Sequence, residues 1–166
     1  MSYLAIALCA LAAVVLVAAA AGLSWRRAVR AQERSFPAPH QLDTAAFPTG
    51  AAIPVSYVAT TVGSDPFARV AAHGLAFRGA AELWLGPAGV GVQRRGERSF
   101  LIPPAQLRGV QTAQTAIDRA VERDGLVAVA WQLGDTPVVT TLRPQQASER
   151  NRILASMREL FPRLAQ

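Results

Sequence analysis

Three patterns of apolar and polar positions follow one another along the chain. Tyr3 to Leu23 is a run of 21 residues without a charge, a proline or a strong polar group. As a helix rising ~1.5 Å per residue it is roughly 31 Å long, enough to cross the hydrocarbon core of a bilayer. From Ile53 to Leu142, short β-like runs alternate with glycine- and proline-containing turns. After Gln145 the period changes to that of an amphipathic helix.

The middle pattern predicts seven strands. Val55–Val62 is rich in valine, tyrosine and threonine, as a first strand should be. Asp65-Pro66 reads as the start of a short helix, with Asp65 as N-cap, Pro66 at the first helical position and Gly74 as its stop. Ala81–Leu85, Val90–Arg94, Arg98–Ile102 and Leu107–Thr112 then form an antiparallel meander, joined by turns at Gly86–Gly89, Arg95–Glu97 and Pro103-Pro104. Within it Leu83, Leu85, Val90 and Val92 are expected to face the core, with Trp84 on the opposite face. Residues 115–124 are weakly helical and charged, a connecting excursion whose Arg119 and Arg123 alternate with Asp118, Glu122 and Asp124. Leu126–Leu133 and Thr136–Leu142 make a hairpin around Gly134-Asp135. The last pattern predicts one helix over Gln145–Phe161. Its apolar stripe is Ile153, Met157, Leu160 and Leu164, with Leu154 and Phe161 beside it.

Seven strands followed by one amphipathic helix define a fold class. Two small antiparallel sheets packed face to face leave an open corner, which a terminal helix closes with its apolar stripe. The expectation is a mainly β, PH-like seven-stranded antiparallel sandwich or barrel capped by a C-terminal helix and preceded by one transmembrane helix. The chain divides into an anchor with a basic collar (1–34), a proline-containing linker (35–52) and the PH-like domain (53–166).

Charge supports the anchor reading. Trp25, Arg26, Arg27, Arg30 and Arg34 follow the span directly, forming a membrane-surface collar. Arginines on the C-terminal side of a single span hold the downstream chain in the cytoplasm. The expected location is therefore the plasma membrane, with the N-terminus outside. A cleaved secretory signal requires positive charge before its core, whereas only Met1-Ser2 precede this one. Ala18–Ala21 resembles a cleavage site only in residue size. Tyr3 and Trp25 bracket the span as interfacial aromatics do. Of the net charge of +6, residues 24–34 supply +3 and residues 35–166 the other +3. Half the charge is thus accounted for at the membrane surface, so the basic balance does not call for nucleic acid. All 17 basic residues are arginine, and Cys9, within the span, is the single cysteine. The chain therefore makes no intramolecular disulfide.

Signatures of catalysis are missing. His40 and His73 have no second histidine or cysteine at ligand spacing, so no metal or other cofactor is expected. No nucleophile-elbow pattern marks a serine. Gly86–Gly91 lacks the lysine and the Ser/Thr of a phosphate loop and joins two strands rather than a strand and a helix. The chain is read as non-enzymatic. Arg94, Arg95 and Arg98 at one hairpin are the candidate contacts for an anionic ligand or partner, because clustered guanidiniums grip phosphate and carboxylate groups bidentately. The opposing reading is a solvated turn, with Glu97 neutralising part of its charge.

Asp124–Asp135, Ile102–Val110 and Tyr57–Thr61 carry a resemblance to a family of small actinobacterial membrane proteins with one N-terminal span and a cytoplasmic PH-like domain. Members of that family are loosely labelled transport or export proteins. The resemblance implies no catalytic residues. The expected partners are the bilayer through Tyr3–Leu23, a membrane-associated protein, and anionic lipid headgroups. The expected role is a membrane-anchored adaptor, the alternative an accessory subunit of a transport or export complex. A single transmembrane helix cannot by itself build a translocation pathway.

Overall fold

A computed structural model describes residues 3–48, 50, 52–63, 65–113 and 125–165. Helix α1 spans Tyr3–Ser35, and its apolar part is exposed along its length. Among the described residues it is the helix long and apolar enough to cross a membrane. Seven strands follow: β1 (Ala52–Val62), β2 (Gly79–Gly86), β3 (Gly89–Arg94), β4 (Phe100–Ile102), β5 (Leu107–Ala113), β6 (Leu126–Leu133) and β7 (Thr136–Pro144). Helix α2, Ala147–Leu160, closes the domain.

The strands are those expected, with ends moved by a few residues. They form one continuous antiparallel sheet in the order β4-β3-β2-β1-β7-β6-β5, rather than two separate sheets. Long β1 makes this continuity. Its first half pairs with β2 and most of its length pairs with β7, with a register shift between Tyr57 and Ala59. A second shift lies between Leu107 and Gly109 of β5. Such bulges bend a strand and increase its twist, and the sheet curls into a half-barrel around its own apolar face.

That face is Val55, Tyr57, Leu83, Val90, Val92, Phe100, Val127, Val129, Trp131 and Leu142, all buried. Leu83, Leu85, Val90 and Val92 face the core as expected, while Trp84 is half-buried on the other side. Helix α2 fills the open corner with Ile153, Leu154, Met157 and Phe161. Leu160 stays 37% exposed, so the stripe is narrower than the sequence spacing suggested. The Glu149 carboxylate accepts hydrogen bonds from the backbone N–H groups of Gln145 and Gln146, closing the helix start. The charged excursion over 115–124 lies outside the described residues.

The expected two-turn helix from Asp65 does not form. The Asp65 carboxylate accepts a bond from Phe67 N–H, and only a 3-10 turn follows at Ala72–Gly74. The reason is that β1 runs on past the end of β2. Its free edge takes the loop backbone: Val62 N–H bonds Ala68 O, Val70 N–H bonds Thr60 O, and Thr60 N–H bonds Leu75 O. A backbone committed to a strand cannot also close helical turns.

Within the stretch 35–52, read from sequence as a linker, residues 35–48 lie along the domain. Leu101 N–H donates to His40 O, so the segment pairs with the outer edge of β4. Asp43 caps a 3-10 turn at Thr44–Ala46. Phe47 is buried, its ring 6.1 Å from that of Trp84. Gly91 leaves the room: a Cβ there would collide with Leu42 and press on Phe47. This segment is a strap that begins on α1 and ends in β1.

Candidate functional site

A chain of hydrogen bonds in the core positions the site. Trp131 Nε1 lies 2.9 Å from Thr140 Oγ1, which is 2.7 Å from Thr60 Oγ1. Thr60 Oγ1 is 2.7 Å from Tyr57 Oη, and Tyr57 Oη is 2.7 Å from Leu75 O. The two ends fix the direction of every proton, because an indole N–H only donates and a carbonyl only accepts. Trp131 therefore donates to Thr140, Thr140 to Thr60, Thr60 to Tyr57, and Tyr57 to the Leu75 carbonyl. All of these side chains are buried, and each is satisfied. The chain ties β6, β7 and β1 to the β1–β2 loop. Burial pushes the Tyr57 phenol up to about 12, against the opposing pull of the Thr60 hydrogen bond and the Arg94 charge.

Arg94 lies over this network. Its guanidinium carbon is 4.9 Å from the centre of the Tyr57 ring and 5.4 Å from that of Phe100. Its donors reach carbonyls: Nε and Nη2 to Arg98 O at 2.9 and 2.6 Å, Nη1 to Gly74 O at 2.8 Å, and Nη2 to His73 O at 3.4 Å. Burial lowers its pKa, and the neighbouring Tyr57 and Glu97 oppose that shift. Arg94 is only 6% exposed. It fastens the β1–β2 loop to the β3–β4 turn.

The three candidate arginines are therefore not one exposed cluster. Arg95 and Arg98 stand in solvent at the turn, and Arg94 is spent on protein carbonyls. Alternation along β3 is the signal that separates them. Val90, Val92 and Arg94 share one face, and the first two are core residues. The collar residues Trp25, Arg26, Arg27, Arg30 and Arg34 are all exposed on α1.

A cavity of about 520 Å³ opens beside Arg94. Ala38, Pro39, Gln41 and Leu42 of the strap form one wall, and His73, Leu75, Arg98, Ser99 and Phe100 form the others. Its polar groups are few and of mixed kind. Ser99 Oγ accepts the Arg94 N–H at 3.1 Å, leaving its hydroxyl proton to donate. His73 Nε2 is 2.9 Å from Phe36 O, so Nε2 carries the proton and Nδ1 is an acceptor. Nδ1 is buried, with no partner among the described residues. His73 is held at φ 55°, a left-handed backbone conformation uncommon outside glycine. The arrangement can hold a group that presents acceptors to Arg98 and Ser99. No group of His, Cys, Asp or Glu suited to a metal ion occurs among the described residues.

The cavity sits where α1 meets the domain. Gln32 Oε1 accepts Ala71 N–H at 2.7 Å and Ala72 N–H at 3.3 Å. A family model for bacterial PH domain-like proteins matches residues 34–158. The chain belongs to that family. The match begins on the last turn of α1 and includes the strap, the seven strands and most of α2. The PH-like domain is thus preceded by a long apolar helix that touches it. PH-like domains are generally non-catalytic binding modules and often bind lipids. No curated protein matches the chain.

Proposed function

We propose that this chain is a non-catalytic, membrane-anchored binding or adaptor domain, held on the cytoplasmic face of the plasma membrane by α1. The observation that carries the reading is the joint between helix and domain. Gln32 and Phe36, beyond the apolar span, bond directly to the β1–β2 loop of the PH-like domain. A flexible tether would leave the domain free to turn, whereas this joint gives it one orientation. The arginine collar favours the cytoplasmic side. Permanent residence at the membrane raises the local concentration of other membrane proteins around the domain, so weak contacts are sufficient. The exposed Arg98, on the wall of the 520 Å³ cavity, and Arg95 of the same turn are the proposed contact for an acidic segment of such a partner.

A photocrosslinking residue in place of Arg95 or Arg98, in the full chain within its own cells, tests this. The expected result is one reproducible membrane-associated partner, captured from both positions. Arg95→Glu combined with crosslinking from position 98 should reduce its capture several-fold. Crosslinks no different from background at both positions would reject the adaptor role of this turn.

A further inference from the structure

Arg94 is a buried cation without a counter-ion. It is 6% exposed, and no carboxylate of a described residue forms an ion pair with it. Glu97 opposes the fall in its pKa from a distance. Carbonyl oxygens and the faces of Tyr57 and Phe100 solvate the guanidinium, but dipoles and rings do not cancel its charge. Buried charges are ordinarily paired, because leaving water costs more than hydrogen bonds alone return. A guanidinium carries five N–H groups. Four of those on Arg94 are taken by the Arg98, His73 and Gly74 carbonyls, and one, on Nη1, has no partner among the described residues.

This cation is part of the wall of the 520 Å³ cavity. Two more donors border the same space: the exposed Arg98 guanidinium, which bonds no described residue, and the Ser99 hydroxyl, whose oxygen already accepts Arg94 N–H. The rest of the lining is chiefly apolar, with Pro39 and Leu42 of the strap on one side and Leu75 and Phe100 on the other. Cationic donors beside apolar walls suit one carboxylate attached directly to an apolar body. The walls disfavour a phosphate, which would carry close to twice the charge of a carboxylate into a largely apolar space. The last residue of a peptide has the fitting form, because its α-carboxylate and its side chain share one Cα. An aspartate or glutamate inside a chain would bring peptide groups on both sides into the cavity, and Gln41 and His73 are the remaining polar side chains of the lining to meet them. The position also suits a tail. His73 borders the cavity and bonds Phe36 O, and Ser35, the end of α1, is twelve residues past Leu23, or ~18 Å along the helix axis. On the anchored reading, the short cytoplasmic tail of a neighbouring membrane protein reaches this height.

We propose that this cavity receives the free C-terminus of the partner protein, taking its α-carboxylate between Arg98 and Ser99, beside the buried Arg94, and its apolar last side chain against Leu42, Leu75 and Phe100. The inference rests on the adaptor reading and gives the acidic contact at the β3–β4 turn its chemical form, a chain end rather than an acidic side chain. The strap is then part of the site. It supplies the wall that the sheet alone lacks, and it ties occupancy of the cavity to the segment that joins α1 to the domain.

Fluorescence anisotropy with labelled peptides, on the full chain in lipid nanodiscs, tests the chemistry. The probes are fluorescein-Gly-Ser-Gly-Ser-Gly-Leu as the free acid, the same peptide as its C-terminal amide, and the free acid ending in glycine in place of leucine. The free acid ending in leucine should bind about ten-fold or more tightly than either of the others. Arg98→Gln with Ser99→Ala should bring acid and amide to about the same affinity. Ala38→Trp, at an exposed strap position bordering the cavity, should block the acid while leaving the denaturation midpoint unchanged. Equal binding of acid and amide, binding of neither, or acid binding that survives Ala38→Trp would overturn the proposal. So would displacement of the acid by inorganic phosphate at concentrations where acetate is without effect. In cells, a photocrosslinking residue in place of Leu42 separates this failure from that of the adaptor reading. Crosslinks that map to the last residues of the partner captured from positions 95 and 98 support the chain-end site. Crosslinks from position 42 to an internal segment of that partner would overturn it and leave the adaptor standing, whereas no partner from any of the three positions would reject the adaptor reading itself.

Discussion

The same aliphatic side chains meet opposite fates in the two parts of this molecule. Leu11, Val14, Val15, Leu16 and Val17 of α1 are each about 60–70% exposed, while Val90, Val92, Val127 and Val129 of the sheet are wholly buried. Removing such a side chain from water contributes about 1.5–3 kcal/mol. The sheet gains this by curling on itself and taking α2 as its lid. The apolar run of α1 is covered by none of the described residues, as expected of a helix that crosses a bilayer. Composition alone identifies the exposed apolar segment, whereas burial in the domain depends on which elements fold against each other.

The largest effect should come from removing α1's claim on lipid. Leu11→Arg with Leu16→Arg puts two charges near the middle of the span, at about 2.5–3.5 kcal/mol each. The chain should move from the membrane to the soluble or aggregated fraction on carbonate extraction. Next comes the domain's own core. Phe100 is 2% exposed, stacks on Trp131 at 5.9 Å and lies under Arg94. Phe100→Ala should cost about 3–5 kcal/mol in denaturant unfolding while leaving the membrane fraction unchanged. A loss of membrane association in that variant would break the separation between the two parts.

A third effect is confined to the core hydrogen-bond chain. The Tyr57 phenol keeps its proton up to about 12 in the folded chain, against 10.0 for an unperturbed tyrosine. Between those values the unfolded state binds fewer protons than the folded one, so stability falls as pH rises. At ~1.4 kcal/mol per unit the loss approaches ~3 kcal/mol across the window. Tyr57→Phe should flatten that alkaline slope, which denaturation midpoints below pH 10 and near pH 12 would show. The smallest effect belongs to the joint. Gln32→Ala removes the acceptor for Ala71 and Ala72 N–H, and about 1 kcal/mol of local stability with it. Faster amide exchange at those two residues, with unaltered exchange in β6, would localise the change.

How much of this could be read from the residues follows from the range of the forces involved. The strands, the span and α2 are encoded by local periodicity, and each was legible. The fold class followed from their order. The fate of Asp65–Gly74 was not, because a perfectly good N-cap lost to β1, whose free edge is a property of pairing and not of the segment. Arg94 looked like its neighbours in a list of arginines. Its place on the inward face was implicit in Val90 and Val92, but the carbonyls that hold it come from Gly74 and His73, some 20 residues away. The Trp131–Thr140–Thr60–Tyr57 chain joins residues up to 80 positions apart and leaves no local mark. The strap was hidden by its prolines, although Phe36, Leu42 and Phe47 hinted that it had something to bury.

The central proposal is a cytoplasmic domain fixed to the membrane by α1. The most direct test is the accessibility of one cysteine, Ser148→Cys in a Cys9→Ser full-length chain, to a membrane-impermeant thiol reagent. The protein should stay in the carbonate-washed membrane, resist labelling in intact cells and be labelled once the cells are opened. Labelling in intact cells, or recovery of the folded chain in the soluble fraction, would contradict it.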